Sequence, residues 1–344
     1  MRFLYILDWR LRILSKVKEH RNYFLVNLKQ IFQKGLRFLK NPKPYLKFLY
    51  RENLRIKSEF VHNYAPYSFL DDKLNIKYRF YSNFGYKINL NNPKTFNEKI
   101  QWRKLFERDP FFTILADKNK VREYVKHKIG SEYLIPLLGV YNNPQEVNWS
   151  SSQEKFVIKP NHGAGCVIYC DDMGSFDRDS ANKEMEVWIR TNFYHISREW
   201  QYKNIDPKII FEKFIESDTN SGLTDYKFFC FDGKPKLIQV NVDRYTKHSL
   251  LFYSPKWKKQ NMSLRGYPIS TRNISKPKNL EIMLEIASQL SKGISFCRVD
   301  LYNVKGKVLF GEITLTPNGG NVPIVPYKKD LALGNLMHLT RYSK

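Results

Sequence analysis

The stretch FCRVDLYNVKGKVLFGEIT, residues 296–314, alternates apolar and polar side chains on both sides of a turn that contains glycine. This pattern predicts two antiparallel strands joined as a hairpin. A three-residue loop would place Asp300 opposite Phe310 and Glu312 diagonally next to Asp300 on the same face. Arg298 shares that face, because residues two apart on a strand point the same way. We therefore expect a charged cluster on one side of this hairpin.

The charged cluster indicates a metal and phosphate site. Two carboxylates and an arginine on inner strands cost free energy unless they bind a cation and a polyanion. Mg²⁺ takes one or two protein carboxylates and completes its shell with water and phosphate oxygens, so Asp300 and Glu312 suit it, and the amide oxygen of Asn318 can add a ligand. The alternative, a strand face that meets solvent, fits less well because the opposite face supplies the apolar side. That side consists of Val299, Leu301, Ile313 and Leu315.

Short β-branched and aromatic segments, separated by turn residues, follow one another from residue 133 onwards. They predict strands at 133–138, 155–159, 166–170, 208–215, 225–231, 236–242, 296–302 and 307–314. Helices are predicted at 180–192 and 277–292, and two more precede the first strand. Of these two, one is capped by Thr95 and the other spans 118–128. Hairpins with helices packed on them favour an α+β fold over a parallel doubly wound sheet.

Residues 156–165, FVIKPNHGAG, form an apolar strand that ends in Lys159 and continues into a turn with two glycines. Backbone N–H groups of such a turn can approach phosphate oxygens, and a lysine at its entrance adds a positive charge. The alternative is a solvated lysine at a strand end. His162, taken by itself, is better interpreted as a turn residue than as a general base.

A second apolar strand, 209–215, is interrupted by Glu212 and Lys213. In a hinge strand, backbone groups can hydrogen-bond an adenine edge, and a carboxylate can accept hydrogen bonds from ribose hydroxyls. The alternative is a half-exposed strand on which Glu212 and Lys213 form a surface ion pair.

The composition is that of a folded, strongly basic protein. The 344 residues include 58 Lys plus Arg against 33 Asp plus Glu, a formal net charge of +25, and 42% are hydrophobic. This apolar fraction is enough for a core, while no apolar stretch approaches the roughly 20 residues that span a bilayer. A signal peptide is not expected, because Asp8, Arg10 and Arg12 interrupt the first apolar stretch. Four scattered cysteines predict buried thiols in a reducing compartment, so we expect a cytoplasmic protein.

Residues 1–60 hold a large share of the excess charge, with 15 Lys plus Arg and four acidic residues. Apolar residues recur at spacings of three and four between Leu25 and Leu39, which predicts a basic amphipathic helical extension. Such a helix can pack on the next domain with its basic face in solvent, or lie on the anionic inner face of a membrane as a peripheral contact. Nucleic acid is a weaker alternative, since neither an RNP aromatic pattern nor a zinc finger is visible.

Five short motifs, taken in order, resemble the ATP-grasp superfamily, and more closely its TupA-like branch, which is named for teichuronopeptide biosynthesis. The motifs are PKTFNEKIQW at 93–102, ADK at 116–118 with Val121-Arg122, VIKPNHG at 157–163, DYKFFCFDG at 225–233 and GEIT at 311–314. The resemblance implies an α+β ATP-grasp fold in which two α+β subdomains sandwich ATP. The implied domains are the basic extension at 1–60, an N-terminal helical domain at 61–150, a small subdomain with the phosphate loop at 151–215 and a large subdomain with the metal site at 216–344.

The resemblance also implies which residues bind the nucleotide. Two of these look like phosphate-binding lysines, three look like the flexible loop over the phosphates, and three look like the hinge for adenine and ribose. In that order they are Lys118 and Lys159; His162, Gly163 and Gly165; and Glu212, Lys213 and Phe214.

For the reacting end of the site, the resemblance makes Asp300 and Glu312 the Mg²⁺ ligands. Many ATP-grasp enzymes carry asparagine two residues after the metal-binding glutamate, whereas this chain has Thr314. Asn318 or water must then fill that coordination position. Arg298 resembles the arginine that steadies the transferred phosphoryl group. Two further candidates for contacts to the γ-phosphate or to a substrate carboxylate are Lys227 and Arg244.

The activity implied by the resemblance is that of an ATP-dependent carboxylate–amine ligase. A substrate carboxylate attacks the γ-phosphate to give an acylphosphate and ADP, and an amine then displaces phosphate. The setting of the family suggests a uronic-acid carboxylate on a capsular or other surface polysaccharide, or on a lipid-linked sugar precursor, joined to the amine of an amino acid. The basic surface agrees with an acidic partner.

Two other classes of function are kept as alternatives. The first is a transferase of surface polysaccharide biosynthesis, either a phosphotransferase on the same fold or a glycosyltransferase. The second is a membrane or nucleic-acid binding protein whose nucleotide site has decayed. Intact Lys118, Lys159, Asp300 and Glu312 argue against that decay.

Overall fold

The computed structural model describes residues 71–149, 155–216, 223–242, 249–270, 272 and 274–339. The chain divides into two compact units, 1–87 and 88–344. In the first unit the described residues form helix α1, Asp72–Phe84, which the Asp71 side chain caps and which Gly85 ends in a left-handed conformation. The predicted helical extension at 1–60 lies outside the described residues.

The second unit begins with three helices, α2 Phe96–Phe106, α3 Pro110–Ala116 and α4 Val121–Ile129. The predicted capping box of α2 is confirmed, because Thr95 and Glu98 each accept a hydrogen bond from the other's backbone N–H. Helix α4 starts later than the predicted residue 118, because the Asp117 carboxylate accepts hydrogen bonds from the next backbone N–H groups and forms a turn first.

A four-stranded antiparallel sheet forms the smaller half of this unit. Its strands are β1 Leu137–Tyr141, β2 Phe156–Pro160, β3 Ile168–Cys170 and β4 Ile209–Lys213, in the order β1-β4-β2-β3. Helices α5 Arg178–Arg190 and α6 Tyr194–Ser197 connect β3 to β4. Phe156 and Ile158 pack on one face of the sheet against Met185 and Trp188 of α5. The strand predicted at 133–138 begins only at Leu137, because a 3₁₀ turn occupies the preceding segment.

A five-stranded antiparallel sheet forms the larger half. The elements in chain order are β5 Asp225–Phe231, β6 Lys234–Val242, β7 Ser249–Tyr253, β8 Ser263–Leu264, α7 Leu280–Ser291, β9 Phe296–Val304, β10 Lys307–Thr314, β11 Ile324–Val325 and α8 Tyr327–Leu336. The five long strands are ordered β10-β9-β5-β6-β7, and β8 pairs with β11. This segregation of antiparallel sheets and helices confirms the predicted α+β class.

The two faces of the large sheet differ in polarity. One face is apolar throughout and packs against α7. On the other face, an apolar half that includes Phe229, Phe252 and Phe296 is covered by α2 and α8. The remaining half of that face is polar. It carries Asp225, Lys227, Gln239, Asn241, Arg298, Asp300, Glu312 and Thr314.

The β9–β10 hairpin has a different register from the one predicted. Its loop has two residues, Lys305 and Gly306, both at positive φ, as the tight turn of a hairpin requires. A bulge at Gly311 then shifts the pairing, so that Asp300 lies directly opposite Glu312 rather than opposite Phe310. The prediction of a three-residue loop was wrong, because the loop is one residue shorter. The shorter loop and the bulge each shift the pairing by one residue in the same direction, and a total shift of two residues preserves the face. Both carboxylates therefore lie on the same face.

Candidate active site

A cavity of about 570 Å³ lies between the small and the large sheet. Nine of the predicted site residues line it. They are Lys118, Lys159, Gly165, Glu212, Lys213, Phe214, Lys227, Asp300 and Glu312. Four others, His162, Gly163, Arg298 and Asn318, do not line the cavity. Arg244 lies outside the described residues.

Lys118 lies beside the loop that follows β2. Its backbone N–H donates to the carbonyl of Asn161 at 3.0 Å, and its ammonium donates to the carbonyl of Gly163. The side-chain amide of Asn161 donates in turn to the Asp117 carboxylate at 3.0 Å. Burial lowers the pKa of Lys118, while the nearby Glu312 carboxylate opposes that shift. The Asp117-Lys118 pair therefore anchors the turn at the entrance of the cavity.

The loop after β2 is divided into an anchored part and a part that reaches the cavity. His162 is 2% exposed, and its ring nitrogens lie 3.0 Å from the side-chain oxygen of Asn161 and from the carbonyl of Trp188. A Cβ at Gly163 would lie 2.6 Å from the ring of Phe193. Both residues therefore pack inside the small half. Gly165, at φ +77°, is the predicted loop residue that reaches the cavity.

Glu212 is held between two cations. Its carboxylate lies 2.5 Å from the Lys159 ammonium and 3.2 Å from the Arg122 guanidinium. Arg122 also donates to the carbonyl of Ile135 at 2.8 Å and so ties α4 to the segment that leads into β1, the strand paired with β4. The role of Arg122 was not predicted, although the residue is part of a quoted motif. Its partner Glu212 is 90 residues away, so spacing along the chain gives no signal of the contact.

Two backbone N–H groups of the predicted hinge already donate hydrogen bonds within the protein. The N–H of Lys213 donates to Pro136, and the N–H of Phe214 donates to Lys155, both at 3.0 Å. The N–H of Ile215, which also lines the cavity, has no hydrogen-bond partner among the described residues. Ile215 is thus the hinge position with a donor available to a base.

The opposite end of the cavity contains a buried charge network. Asp300 accepts two hydrogen bonds from Arg298, at 2.6 and 2.7 Å, and another from the Lys227 ammonium. Lys227 also lies 2.7 Å from the Asp225 carboxylate, and Arg298 lies 3.2 Å from Glu312. Burial tends to raise the pKa of Glu312, but Lys118, Arg298 and Lys227 together lower it to about 2. Glu312 is therefore ionised at neutral pH.

The donor set of this network suits a hard divalent cation. Asp300 and Glu312 face each other across paired strands and present carboxylate oxygens, the ligands that Mg²⁺ prefers. Within the part of the chain that the structure describes, no group of three or more His, Cys, Asp or Glu side chains is arranged to hold a metal ion. Two protein carboxylates with water and phosphate oxygens form a complete set for Mg²⁺, so the residues fit the ion.

A second polar network borders the segment after β10, and the sequence did not reveal it. Gln201 donates to the Thr316 hydroxyl at 2.7 Å, and Thr316 donates to Glu199. From the opposite side, buried Gln101 and Lys104 of α2 donate to the carbonyl of Gly319. These contacts fix the left-handed turn that contains Asn318. Gln101 belongs to the quoted PKTFNEKIQW motif, which therefore supports the site from behind.

The sequence profile of the TupA-like ATP-grasp family matches residues 98–338, well over half of the chain. The chain belongs to the TupA-like ATP-grasp family. The resemblance drawn from the five motifs, and with it the ATP-grasp fold, is confirmed. No curated protein matches this TupA-like chain significantly.

Solved structures with a similar fold include three ligases or synthetases. One is D-alanine–D-alanine ligase from Bacillus anthracis complexed with ATP, at 16% identity and a TM-score of 0.34 over 58% of this chain and 53% of that one. The D-cycloserine synthetase DcsG has 16% identity and a TM-score of 0.35, over 60% and 64%. The ATP-grasp ligase PsnB, complexed with a minimal precursor, Mg and ADP, has 12% identity and a TM-score of 0.34, over 69% and 66%. This TupA-like chain thus spans about half to two thirds of their lengths, and such values indicate no substrate or activity.

No helix in the described ranges is long and apolar enough to cross a membrane.

Proposed function

We propose that this TupA-like protein is an ATP-dependent carboxylate–amine ligase that forms ADP and phosphate. One observation supports the proposal above all others. A single cavity brings Lys118 and Lys159 from the small half together with Asp300 and Glu312 from the large half. Lysines are point charges suited to phosphate oxygens, and paired carboxylates suit the Mg²⁺ that accompanies a nucleotide.

Different residues of the cavity bind different parts of the nucleotide. The base lies at the hinge, where the N–H of Ile215 is available, and Lys118 and Lys159 pair with the phosphates. Asp300 and Glu312 would hold Mg²⁺, which when bound neutralises charge on the transferring phosphoryl group. Arg298 does not itself line the cavity, but it donates two hydrogen bonds to the Asp300 carboxylate, which does, and its positive charge beside that carboxylate would stabilise an oxyanion.

The reaction has two steps. In the first, a substrate carboxylate oxygen attacks the γ-phosphorus, and the bond to the β-phosphate oxygen breaks to release ADP. In the second, an amine attacks the acyl carbon, the C–O bond to phosphate breaks, and a proton leaves the nitrogen. Both steps build negative charge on oxygen, and buried cations placed in advance stabilise it most strongly.

The acceptor that best suits a protein of net charge +25 is an acid. We propose a uronic-acid carboxylate of a surface polysaccharide or of its lipid-linked precursor, with an amino acid as the amine. The proposal places the protein in the cytoplasm, with residues 1–60 as a peripheral contact to the inner face of the membrane.

Calorimetric titration of ATP with Mg²⁺ tests the nucleotide site. The intact protein should bind with micromolar affinity, and Lys159→Ala and Asp300→Asn/Glu312→Gln should each abolish binding. Lys234→Gln, which changes an exposed lysine at the start of β6, is the matched control and should bind as the parent does. A folded parent protein that does not bind ATP would refute the proposal.

The ligase reaction is then separated from phosphoryl transfer by the need for an amine. ADP release is measured with uronic acids alone and with uronic acids plus amino acids. A ligase should release ADP continuously only when both are present. Continuous release without any amine would identify a phosphotransferase instead.

A further inference from the structure

A polar patch adjoins the reaction centre at the end of β10. Thr314, the last residue of that strand, accepts a hydrogen bond from Arg298 at 3.0 Å and donates one to the Glu312 carboxylate at 3.1 Å. Thr316, two residues further on, donates to the carboxylate of Glu199. Two residues of chain span at most roughly 7 Å. Glu199 therefore lies about one dipeptide beyond the pair of Arg298 and Glu312.

The Glu199 carboxylate has hydrogen-bonding capacity that the protein does not use. Its two oxygens accept one hydrogen bond each, from the hydroxyls of Ser197 and Thr316. A carboxylate offers about four acceptor positions, so about two remain. Among the described residues, no lysine, arginine or histidine forms an ion pair with Glu199. The side chain is only half-buried, so a cation from solution can reach it.

Tyr202 adds a hydroxyl to the same side of the patch. A 3₁₀ turn spans Trp200–Tyr202, and Glu199 is its N-cap residue. Side chains three residues apart in such a turn are nearly eclipsed, so Glu199 and Tyr202 point the same way. Burial and the carboxylates of Glu199 and Glu312 raise the pKa of Tyr202 well above its usual value, and Arg298 opposes that rise. The phenol therefore stays protonated and lies close to both carboxylates.

The charges of this patch favour a positively charged ligand. Glu199 and Glu312 contribute two carboxylates, whereas Arg298 already donates to Glu312 and Asp300. Glu312 also lines the nucleotide cavity and its side chain is 36% exposed, so the patch continues from the cavity at this residue. An ammonium group is a compact charge with three N–H donors, which suits the remaining acceptor positions of Glu199 and the oxygen of Tyr202.

We propose that Glu199 and Tyr202 form the binding site for the amine substrate, and that Glu199 accepts the proton that the ammonium group must lose before it attacks. This inference rests on the proposed function and extends it to the second substrate. Once one proton has moved to Glu199, the free lone pair attacks the acyl carbon, the C–N bond forms and the C–O bond to phosphate breaks. The second proton of the nitrogen leaves with the phosphate.

The dimensions of the patch agree with this step. A nitrogen at about 3 Å from Glu199 and an acyl carbon about 3 Å beyond it fit within the roughly 7 Å that separates Thr316 from Thr314. The acyl oxygen then lies on the side of Arg298, whose charge stabilises the oxyanion.

Titration of glycinamide into the full-length protein with ADP and Mg²⁺, followed by NMR of the ligand, tests the site without turnover. Glu199→Gln keeps the shape and one acceptor for Thr316, and it should weaken binding at least about tenfold, because a charged hydrogen-bond partner becomes neutral. Tyr202→Phe removes only a hydroxyl and should weaken binding about threefold. The matched control is Glu186→Gln on α5, whose carboxylate also accepts a side-chain hydrogen bond, from Gln145 at 3.2 Å. It should bind as the parent does.

Turnover with two nucleophiles separates this role from mere support of the turn at Thr316. With ATP, Mg²⁺ and galacturonic acid, hydroxylamine traps the acylphosphate as a hydroxamate. Hydroxylamine is largely uncharged at neutral pH and needs no carboxylate to bind or deprotonate it. Glu199→Gln should therefore form hydroxamate within about threefold of the parent but lose about a hundredfold in kcat/KM for glycine. Equal losses with both nucleophiles would overturn the proposal.

The binding results decide the proposal even if no hydroxamate forms. A parent protein that does not bind glycinamide, or that binds it no better than Glu199→Gln and Tyr202→Phe do, overturns the amine site. Competition of Mg²⁺ with glycinamide at Glu199 would identify a metal site instead. ATP with Mg²⁺ is titrated into the same samples. Normal ATP binding with glycinamide affinity unchanged in both variants rejects the amine site alone. Absent ATP binding with a glycinamide loss confined to those variants rejects the ligase and keeps the amine site.

Discussion

The Lys227–Asp300 pair allows a quantitative test of the buried charge network. Lys227 is 8% and Asp300 is 2% exposed, so neither charge is fully solvated. Lys227 donates to Asp300 and to Asp225, and Asp300 also accepts two hydrogen bonds from Arg298. Burial raises the pKa of Asp300, and Arg298 and Lys227 oppose that rise. Each partner therefore depends on the other for the balance of charge.

Removing one partner of a buried ion pair costs about 3–5 kcal/mol, because the remaining charge is left uncompensated. Lys227→Met and Asp300→Asn each leave their former partner with one other opposite charge, so we expect the lower end, about 3 kcal/mol of unfolding free energy for each. The double variant removes both charges and restores the balance. Its loss should be smaller than the sum of the two single losses by on the order of 2 kcal/mol.

Urea unfolding of the parent, the two single variants and the double variant gives this coupling free energy directly. Lys234→Met, an exposed lysine exchanged in the same way, controls for the loss of a surface cation and should change stability by less than about 0.5 kcal/mol. Additivity of the two single losses within about 0.5 kcal/mol would refute the network, since it would mean that the two side chains do not interact.

Three further predictions concern the frame of the site. Burial raises the pKa of Asp330 to about 6 from 3.8, so the parent protein loses stability as the pH rises through that range. The free energy of unfolding of Asp330→Asn, relative to that of the parent, should therefore rise by up to about 3 kcal/mol between pH 4 and 7. A difference in urea unfolding that stays constant with pH would contradict this. A Cβ at Gly334 would lie 2.1 Å from the Lys94 carbonyl, so Gly334→Ala should lose about 3 kcal/mol in the same assay, whereas Gly174→Ala, where the nearest atom is 3.5 Å away, should lose less than about 1 kcal/mol. Arg122→Met should weaken ATP binding about tenfold by calorimetry with little change in thermal stability, and unchanged affinity would show that the hinge does not need this contact.

The elements predicted well are those that local rules determine. The alternation of residues 296–314 reveals the hairpin and its charged face, and the Thr95 box marks the start of α2. Register was not predictable in the same way. It depends on a lysine adopting positive φ at position 305 and on a bulge at Gly311, and neither residue type specifies that conformation uniquely.

The sequence does not predict which side chains that are distant along the chain contact each other in the fold. The sequence places His162 next to the phosphate loop, yet its ring packs toward the end of α5, because Trp188 and Thr191 offer carbonyls there. Gln101 is the opposite case. The sequence assigns it no role, yet its side chain donates to the carbonyl of Gly319 and supports a turn more than 200 residues away. Such contacts arise from packing between elements, and hydrophobic patterns along the chain do not encode them.

The charges that line the nucleotide cavity determine how the cavity can bind an anion. In the nucleotide cavity and its immediate shell, six cations stand against five carboxylates. The cations are Lys118, Lys159, Lys213, Lys227, Arg122 and Arg298, and the carboxylates are Asp171, Glu212, Asp225, Asp300 and Glu312. A site already balanced in this way has little net charge to offer a triphosphate, so the nucleotide must bring its own divalent counter-ion, which the two facing carboxylates suit. Removal of divalent cations should therefore abolish nucleotide binding.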